Sequence, residues 1–348
     1  MRRSLVLVLV LVLAAAAAAS AHASTRASSG TASAFQETVY TPAVGHRIVA
    51  FSLDQDQIAL AEDPTGGGCP LVILVQAPSP HGTALTSAKG ATCQFGGQFW
   101  VRPGTGARVI SNALVKALWI VRNGSSAEAI KGDAKAGEVV LKQVSGIGAA
   151  GPFLGPVVGQ FYLRLFAEYG LLPDGTENGG EVSGNNKELW TATGPVAALG
   201  LDHDEHIVSV GADGSIAMWH AHGARYGRVA NAHAAAAALD GGEIFVLRSD
   251  RPQIDVRKLD GTLLHSWPIA SGALPLLDAY VPADRLVYVA GNAVHALDLA
   301  TGIDAVVARA PAGARLVDAQ ISSDGLAYLA LGGDAVQGRL FFLRGFPG

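Results

Sequence analysis

The densest run of groups able to do chemistry is Asp202-His203-Asp204-Glu205-His206, followed by His220, His222 and His233. Imidazoles beside carboxylates can hold zinc or a similar metal. His220 and His222 are two residues apart, a spacing that puts both on one face of a strand. A metal reading therefore rests on His203, His206, His220 and His222. A plainer reading competes with it. Leu53-Asp54-Gln55-Asp56-Gln57 repeats the pattern of Leu201-Asp202-His203-Asp204-Glu205, and Asp-x-Asp ahead of a strand is turn chemistry. His220 and His222 also belong to a different strand and turn from His203 and His206. The turn reading is carried forward, with no metal expected.

Other patterns say less. Gly146-Ile147-Gly148-Ala149-Ala150-Gly151 has the glycine spacing of a dinucleotide-binding turn and follows an apolar strand at Glu138–Val144. Such a site needs a helix opening at once. Pro152, Gly155, Pro156 and Gly159 come instead, so the segment reads as a glycine-rich connection. There is no Gly-x-Ser-x-Gly elbow and no His-Glu-x-x-His helix. Carboxylates are scattered through turns, and no residue is assigned a catalytic role. Asn123-Gly124-Ser125 is a formal glycosylation sequon that reads as a tight hairpin turn. No cofactor is expected.

The elements that must position these groups begin with a processing signal. Met1-Arg2-Arg3 is a basic start, Leu5 to Leu13 alternates Leu and Val, Ala14 to Ala19 is an alanine run, and Ala21-His22-Ala23 fits signal-peptidase cleavage. The apolar run from Ser4 to Ala19 is 16 residues, short of the roughly 20 that span a bilayer. Residues 1–23 are thus read as a signal peptide, with no transmembrane anchor after processing. Residues 24–34, rich in Ser, Thr, Ala and Gly, form a flexible leader, and 35–348 form one domain. The whole chain of 348 residues carries 25 basic and 29 acidic side chains. Removing Arg2 and Arg3 leaves 23 against 29, a net charge of −6. That surface has no electrostatic attraction for nucleic acid or anionic lipid. Hydrophobic residues make up 49%, which excludes a disordered chain. In an oxidising compartment Cys69 and Cys93, the only two cysteines, pair as one disulfide. Closing that loop is worth about 3 kcal/mol, and the C-x-x-C spacing of a redox pair is missing.

The rest of the chain repeats. An apolar stretch, a turn rich in Asp or Gly, and a four-residue strand core recur. The cores are Ile58–Ala61, Leu118–Val121, Phe161–Arg164, Ile207–Val210, Ile244–Leu247, Leu286–Val289 and Leu326–Leu329. Successive starts are 60, 43, 46, 37, 42 and 40 residues apart, near the roughly 40–50 residues of a propeller blade. The long first interval holds Cys69 and Cys93, so the disulfide tethers an enlarged unit. Within one unit the strands are Val196–Asp202, Ile207–Val210, Ile216–Trp219 and Arg225–Ala230. Asp-Gly turns recur at Asp174-Gly175, Asp213-Gly214, Asp240-Gly241, Asp260-Gly261 and Asp324-Gly325, where Gly takes a positive φ. The last unit has strands at Leu316–Ile321, Leu326–Leu331 and Arg339–Leu343 and lacks an outer one. Phe35–Thr41, ahead of an inner strand at Ile48–Phe51, supplies it and removes two open edges. The expected fold is an all-β propeller of seven blades, closed by the N-terminal strand, with six and eight as alternative counts. Pro173–Lys187, rich in Gly, Asn and Glu, is expected to be a loop of the third blade.

On these repeats the chain resembles the secreted, WD-like and quinoprotein-like bacterial β-propellers. Ala296-Leu-Asp298-Leu-Ala-Thr301-Gly302 is similar to the quinoprotein A-x-D-x-x-T-G motif, with Val306 where that motif's docking tryptophan stands. Asp260-Gly261 leading to Trp267 is a second, partial copy. There is no Trp-Asp dipeptide. Likeness of fold does not carry pyrroloquinoline quinone or any activity with it. The reading that follows is a noncatalytic scaffold whose loops, Gly148–Gly159 and Pro173–Lys187 among them, face a protein, glycan or envelope partner. The alternative is a secreted propeller enzyme, such as a lactonase, hydrolase or quinoprotein-like oxidoreductase, with its site at the central channel. Intact mass of the exported protein is expected to place its N-terminus at Ser24. A mass retaining residues 1–23 would establish a membrane anchor instead.

Overall fold

The computed structural model describes residues 36–55, 57–76, 86–95, 98–99, 110–113, 116–123, 126–135, 137–143, 158–160, 165–171, 177–184, 187–191, 196–201, 206–211, 213–220, 225–333 and 335–346. The expected signal peptide, the leader and the glycine motif at 146–151 lie outside these. The described residues are all-β, with one 3-10 turn at Val281–Ala283. No helix among them is long and apolar enough to cross a membrane.

Strand β1 (Gln36–Tyr40) precedes a meander of β2 (His46–Asp54), β3 (Gln57–Pro64), β4 (Leu71–Gln76) and β5 (Thr86–Ala91). Next, β6 (Gln98–Phe99) and β7 (Ile110–Ala113) both pair with β8 (Lys116–Asn123), and β9 (Ser126–Lys135) and β10 (Glu138–Gln143) complete a second meander. One parallel pairing, Glu138 with Lys89, merges the two into a nine-stranded sheet. Four-stranded antiparallel sheets then follow one another. The third meander is β11 (Val158–Gln160), β12 (Leu165–Leu171), β13 (Glu177–Gly184) and β14 (Lys187–Thr191). The fourth is β15 (Val196–Leu201), β16 (His206–Gly211), β17 (Ile216–His220) and β18 (Arg225–Val229). The fifth comprises β19 (Ala234–Asp240), β20 (Glu243–Arg248), β21 (Gln253–Lys258) and β22 (Leu263–Pro268). The sixth comprises β23 (Ala273–Tyr280), β24 (Arg285–Ala290), β25 (Ala293–Asp298) and β26 (Asp304–Arg309). The last sheet is β27 (Ala314–Ile321), β28 (Gly325–Gly332) and β29 (Ala335–Arg344), with β1 as its fourth strand. Tyr40 pairs with Leu340 and Gln36 with Arg344, so the N-terminal strand completes the last sheet as expected.

The uninterrupted apolar cores have a simple cause. Alternate residues of a strand point to opposite faces, and both faces are covered here, as a run without polar breaks requires. Leu286 and Tyr288 of β24 pack with Phe245 and Leu247 of the fifth sheet. Val287 and Val289, one residue out of phase, pack with Leu326 and Tyr328 of the last sheet. Ala327 and Leu329 in turn pack with Ile58 and Leu60 of β3. First strands touch in chain order, β2 to β7, β7 to β11, β11 to β15, β15 to β19, β19 to β23 and β23 to β27, and β27 also meets β2.

Side chains of the first strands staple neighbouring sheets. Asp278 accepts from the Ile321 amide at 2.9 Å. At the equivalent place Gln320 accepts from the Leu53 amide at 2.9 Å and donates to the Phe51 carbonyl at 3.0 Å. The fifth sheet has Ala238 there, which cannot accept. Asp240, two residues on, takes the Val281 amide instead, at 2.7 Å.

Three expectations are corrected. Pro173–Lys187 is not a continuous loop, because β13 occupies Glu177–Gly184; backbone pairing with β12 and β14 overrides weak local strand preference. In that sheet the second strand is β12, whereas Phe161–Arg164 falls outside the described residues. Gly214, Gly241 and Gly261 take the positive φ foreseen for Asp-Gly, but Gly325 does not. Gly325 is required for close approach: a β-carbon there would lie 2.5 Å from the Leu343 carbonyl oxygen and 2.6 Å from the Phe342 ring.

The two partial motifs meet in space. Trp267 of β22 packs on Gly302, in the turn before β26, where φ is +73° and any β-carbon would overlap the indole ring. Gly272 has a similar φ, +76°, in open space. Both Gly→Ala changes strain the backbone, but only Gly302→Ala also overpacks the sheet junction. It is expected to cost about 1–3 kcal/mol more than Gly272→Ala, measured by urea unfolding. Equal losses would remove the Trp267 contact from the list of what joins the sheets.

Candidate functional site

Of the four histidines singled out, His203 and His222 lie outside the described residues. His206 opens β16 and His220 ends β17, and the register sets them directly opposite each other. The objection that they belong to different strands therefore falls away. In the first meander, Asp54 pairs with Gln57 across a turn in which Gln55 has φ +51°. This is the hairpin that Asp-x-Asp foretold for the first copy, and residues 202–205 of the second copy lie outside the described residues. Among the described residues, no group of three or more His, Cys, Asp or Glu could hold a metal ion. Cys69 and Cys93 are bonded, with α-carbons 5.2 Å apart. Leu71 pairs with Ala91, so the bridge continues the β4–β5 register by two residues and clamps an outer strand.

The polar clusters that stand out in the structure are elsewhere. In the sixth sheet the Tyr288 hydroxyl donates to Asp304 Oδ2 at 2.6 Å, and His295 Nδ1 lies 3.2 Å from both oxygens of that carboxylate. The Ala270 amide donates to the Tyr288 oxygen at 3.0 Å and to Asp304 Oδ2 at 3.2 Å. The Tyr288 and His295 rings stack with centroids 5.0 Å apart. An acid, an imidazole and a phenol in contact are the parts of a proton-transfer site. Two facts argue against that use. Burial, then the bond to Asp304, pushes the phenol far above its ordinary range, so it stays a donor. The arrangement also recurs without its histidine. In the last sheet Tyr328 donates to Glu37 of β1 at 3.3 Å, and Phe341 stacks on Tyr328 where His295 stacks on Tyr288. A motif that keeps its geometry when imidazole becomes phenyl ties an outer strand to its sheet.

Two buried carboxylates complete the set. Glu62 of β3 is 0% exposed; it accepts from the Tyr40 hydroxyl at 2.8 Å and the Ala43 amide at 3.2 Å. Burial raises its carboxyl, and the two donors offset part of that. The bonds anchor the segment leaving β1 to the first meander. Nearby, His46 Nε2 lies 3.1 Å from the Cys69 carbonyl oxygen. In the fifth sheet Asp255, 1% exposed, accepts from Gln253 at 2.6 Å, Ser266 at 2.8 Å, Arg257 at 3.1 Å and Arg248 at 3.3 Å. Arg248 also grips Asp250 through two bonds of 2.8 Å, which pull that carboxyl down to about 2.

None of these clusters was singled out from the sequence. One signal was there: Tyr288 and Tyr328 hold the same position in their cores, Leu286–Val289 and Leu326–Leu329. Their acid partners lie on other strands at unrelated distances along the chain. No protein-family model matches the chain, and a search of curated proteins finds no match.

Asp255 gives a pH signature. Burial alone would raise its carboxyl, but the donors of Gln253, Ser266 and Arg257 outweigh it and hold the group below its ordinary value. A lowered folded pKa contributes stability above the unfolded value of about 3.9, and that contribution is lost as pH falls through the folded value. Asp255→Asn leaves Arg248 and Arg257 short of a buried partner and is expected to cost about 3–5 kcal/mol at neutral pH. It should also flatten the loss of stability below pH ~4. Urea unfolding between pH 7 and 2 checks both, and parallel curves for variant and parent would refute the assignment.

Proposed function

We propose that the chain is an exported, noncatalytic seven-bladed propeller that presents loops to a protein, glycan or envelope partner. The blade count is supported by the order of first-strand contacts, β2, β7, β11, β15, β19, β23, β27 and back to β2. On this reading the nine-stranded sheet is two blades joined at the single Lys89–Glu138 pairing. Completion of the last sheet by β1 is the closure such a ring needs. The resemblance to secreted bacterial propellers and the Cys69–Cys93 disulfide fit an extracytoplasmic site.

The observation that carries the noncatalytic reading is the repetition of the tyrosine–acid tie with phenyl in place of imidazole. The polar residues most like a catalytic set are used to hold strands together. Recognition then falls to the connections, which a rigid repeat scaffold can vary freely. Because β13 lies within 173–187, the connection ahead of β11 is the segment to change. Labelled mature protein is expected to bind envelope preparations of the producing cell saturably. Replacing Gly148–Pro156 by a short Gly/Ser linker should weaken binding at least tenfold with an unchanged melting temperature. Turnover of lactone or ester substrates by the purified protein, or no saturable binding, would overturn the proposal.

A further inference from the structure

The outer strand of a sheet offers a row of backbone amides and carbonyls to any strand that can lie beside it. Strand β26 is such an edge, because among the described residues only β25 pairs with it. Other outer strands are blunted in ordinary ways. Strand β22 ends in Pro268, which has no amide to donate, and β18 carries Gly227 and Arg228. In β26, Ala305, Val306, Val307 and Ala308 run without a charge between Asp304 and Arg309. Val306 is 44% exposed, and Ile303, just ahead of the strand, is 63% exposed. Arg309 is exposed and has no hydrogen-bond or ion-pair partner among the described residues.

A bulge makes this segment complementary to itself. Val307 is the extra residue, since Val306 lies opposite His295 and Ala308 opposite Val294. A bulge shifts the alternation of faces by one, so Asp304 and Arg309 turn to the same face. Asp304 is opposite Leu297, and Arg309 is opposite Ala293, itself opposite Ala290. Leu297 and Ala290 both pack toward the fifth sheet. Ala305 and Ala308 share the other face, opposite Ala296 and Val294, which pack toward the last sheet. We propose that β26 pairs antiparallel with β26 of a second copy of this chain, joining two sixth sheets into one across a two-fold axis. In that register Asp304 meets Arg309 of the second copy, Ala305 meets Ala308, and the two bulges face each other on the axis. Residues opposite one another in a sheet must share a face, and both of these pairs do. Asp304 has room for the guanidinium. Its Oδ2 takes the Tyr288 hydroxyl and the Ala270 amide, while Oδ1 meets only His295, at 3.2 Å, and a carboxylate has about four acceptor sites. A contact that uses the same strand on both copies closes at two.

One strand pair buries less than the roughly 1,200 Å² at which standard interfaces begin, so the mature chain is expected to pass from monomer to dimer only across about 1–200 µM in sedimentation equilibrium. Val306→Lys and Arg309→Glu should each weaken dimerisation at least tenfold and leave the melting temperature of the dilute protein unchanged. Leu263→Lys, at a site on the β22 edge that is 49% exposed, should leave dimerisation as it is. Hydrogen exchange of the parent protein at both ends of the concentration range should slow in the peptide spanning β26 and not in the one spanning β22. This second readout stands even where a variant fails to fold. A monomer throughout the range, dimerisation untouched by both β26 variants or lost equally in Leu263→Lys, or β26 exchange indifferent to concentration would each overturn the pairing.

Discussion

The carboxamide of Gln320 joins the last sheet of the chain to the first, accepting from the Leu53 amide and donating to the Phe51 carbonyl. Sheets with two apolar faces cannot bury themselves alone, so each depends on a neighbour on both sides. For most sheets the neighbour is supplied by the next stretch of chain. For the two terminal sheets it is supplied only if the ends meet. Gln320, the pairing of β1 with β29, and the bonds from Glu62 to Tyr40 and Ala43 all act at that junction. The two bonds of Gln320 thus bridge residues 267 and 269 positions apart along the chain.

The same economy explains how the molecule uses its charged and aromatic residues. Asp278, Gln320 and Asp240 are spent on neighbouring backbones, Tyr288 and Tyr328 on outer strands, and Asp255 on two arginines. Buried polar groups of this kind contribute little net stability over apolar packing, but they admit only one register. A repeat protein needs that selectivity, because similar strands could pair in the wrong order.

Most strand positions and the repeat were readable from the chain because they follow from local rules, the second strand of the third sheet being an exception. Period-2 alternation collapsed into continuous apolar cores marks strands covered on both faces, and Asp-Gly marks the hairpins between them. The role of Phe35–Thr41 as the missing outer strand was also legible, since the last unit is visibly one strand short. Strand β13 was not, because Glu177–Gly184 has neither apolar cores nor branched residues in number and is held by its partners. Nor was Gly325 understood, since its need is set by Leu343 and Phe342 in the neighbouring strand rather than by its own turn.

The sequence by itself thus determined the class of secondary structure, the repeat length and the disulfide, all of which depend on residues near one another in the chain. Only the tertiary structure decided which side chains cooperate. Asp304 reaches Tyr288 across an intervening strand, Glu37 reaches Tyr328 from 291 positions away along the chain, and Trp267 meets Gly302 from another sheet. His206 and His220 are 14 positions apart along the chain, and only the β16–β17 register sets them opposite each other in the sheet. Register is a collective property of the whole sheet and its neighbours, since slipping it by one residue would move every side chain to the opposite face and against the wrong neighbouring sheet. That is why the fold could be read before the contacts that give it chemistry.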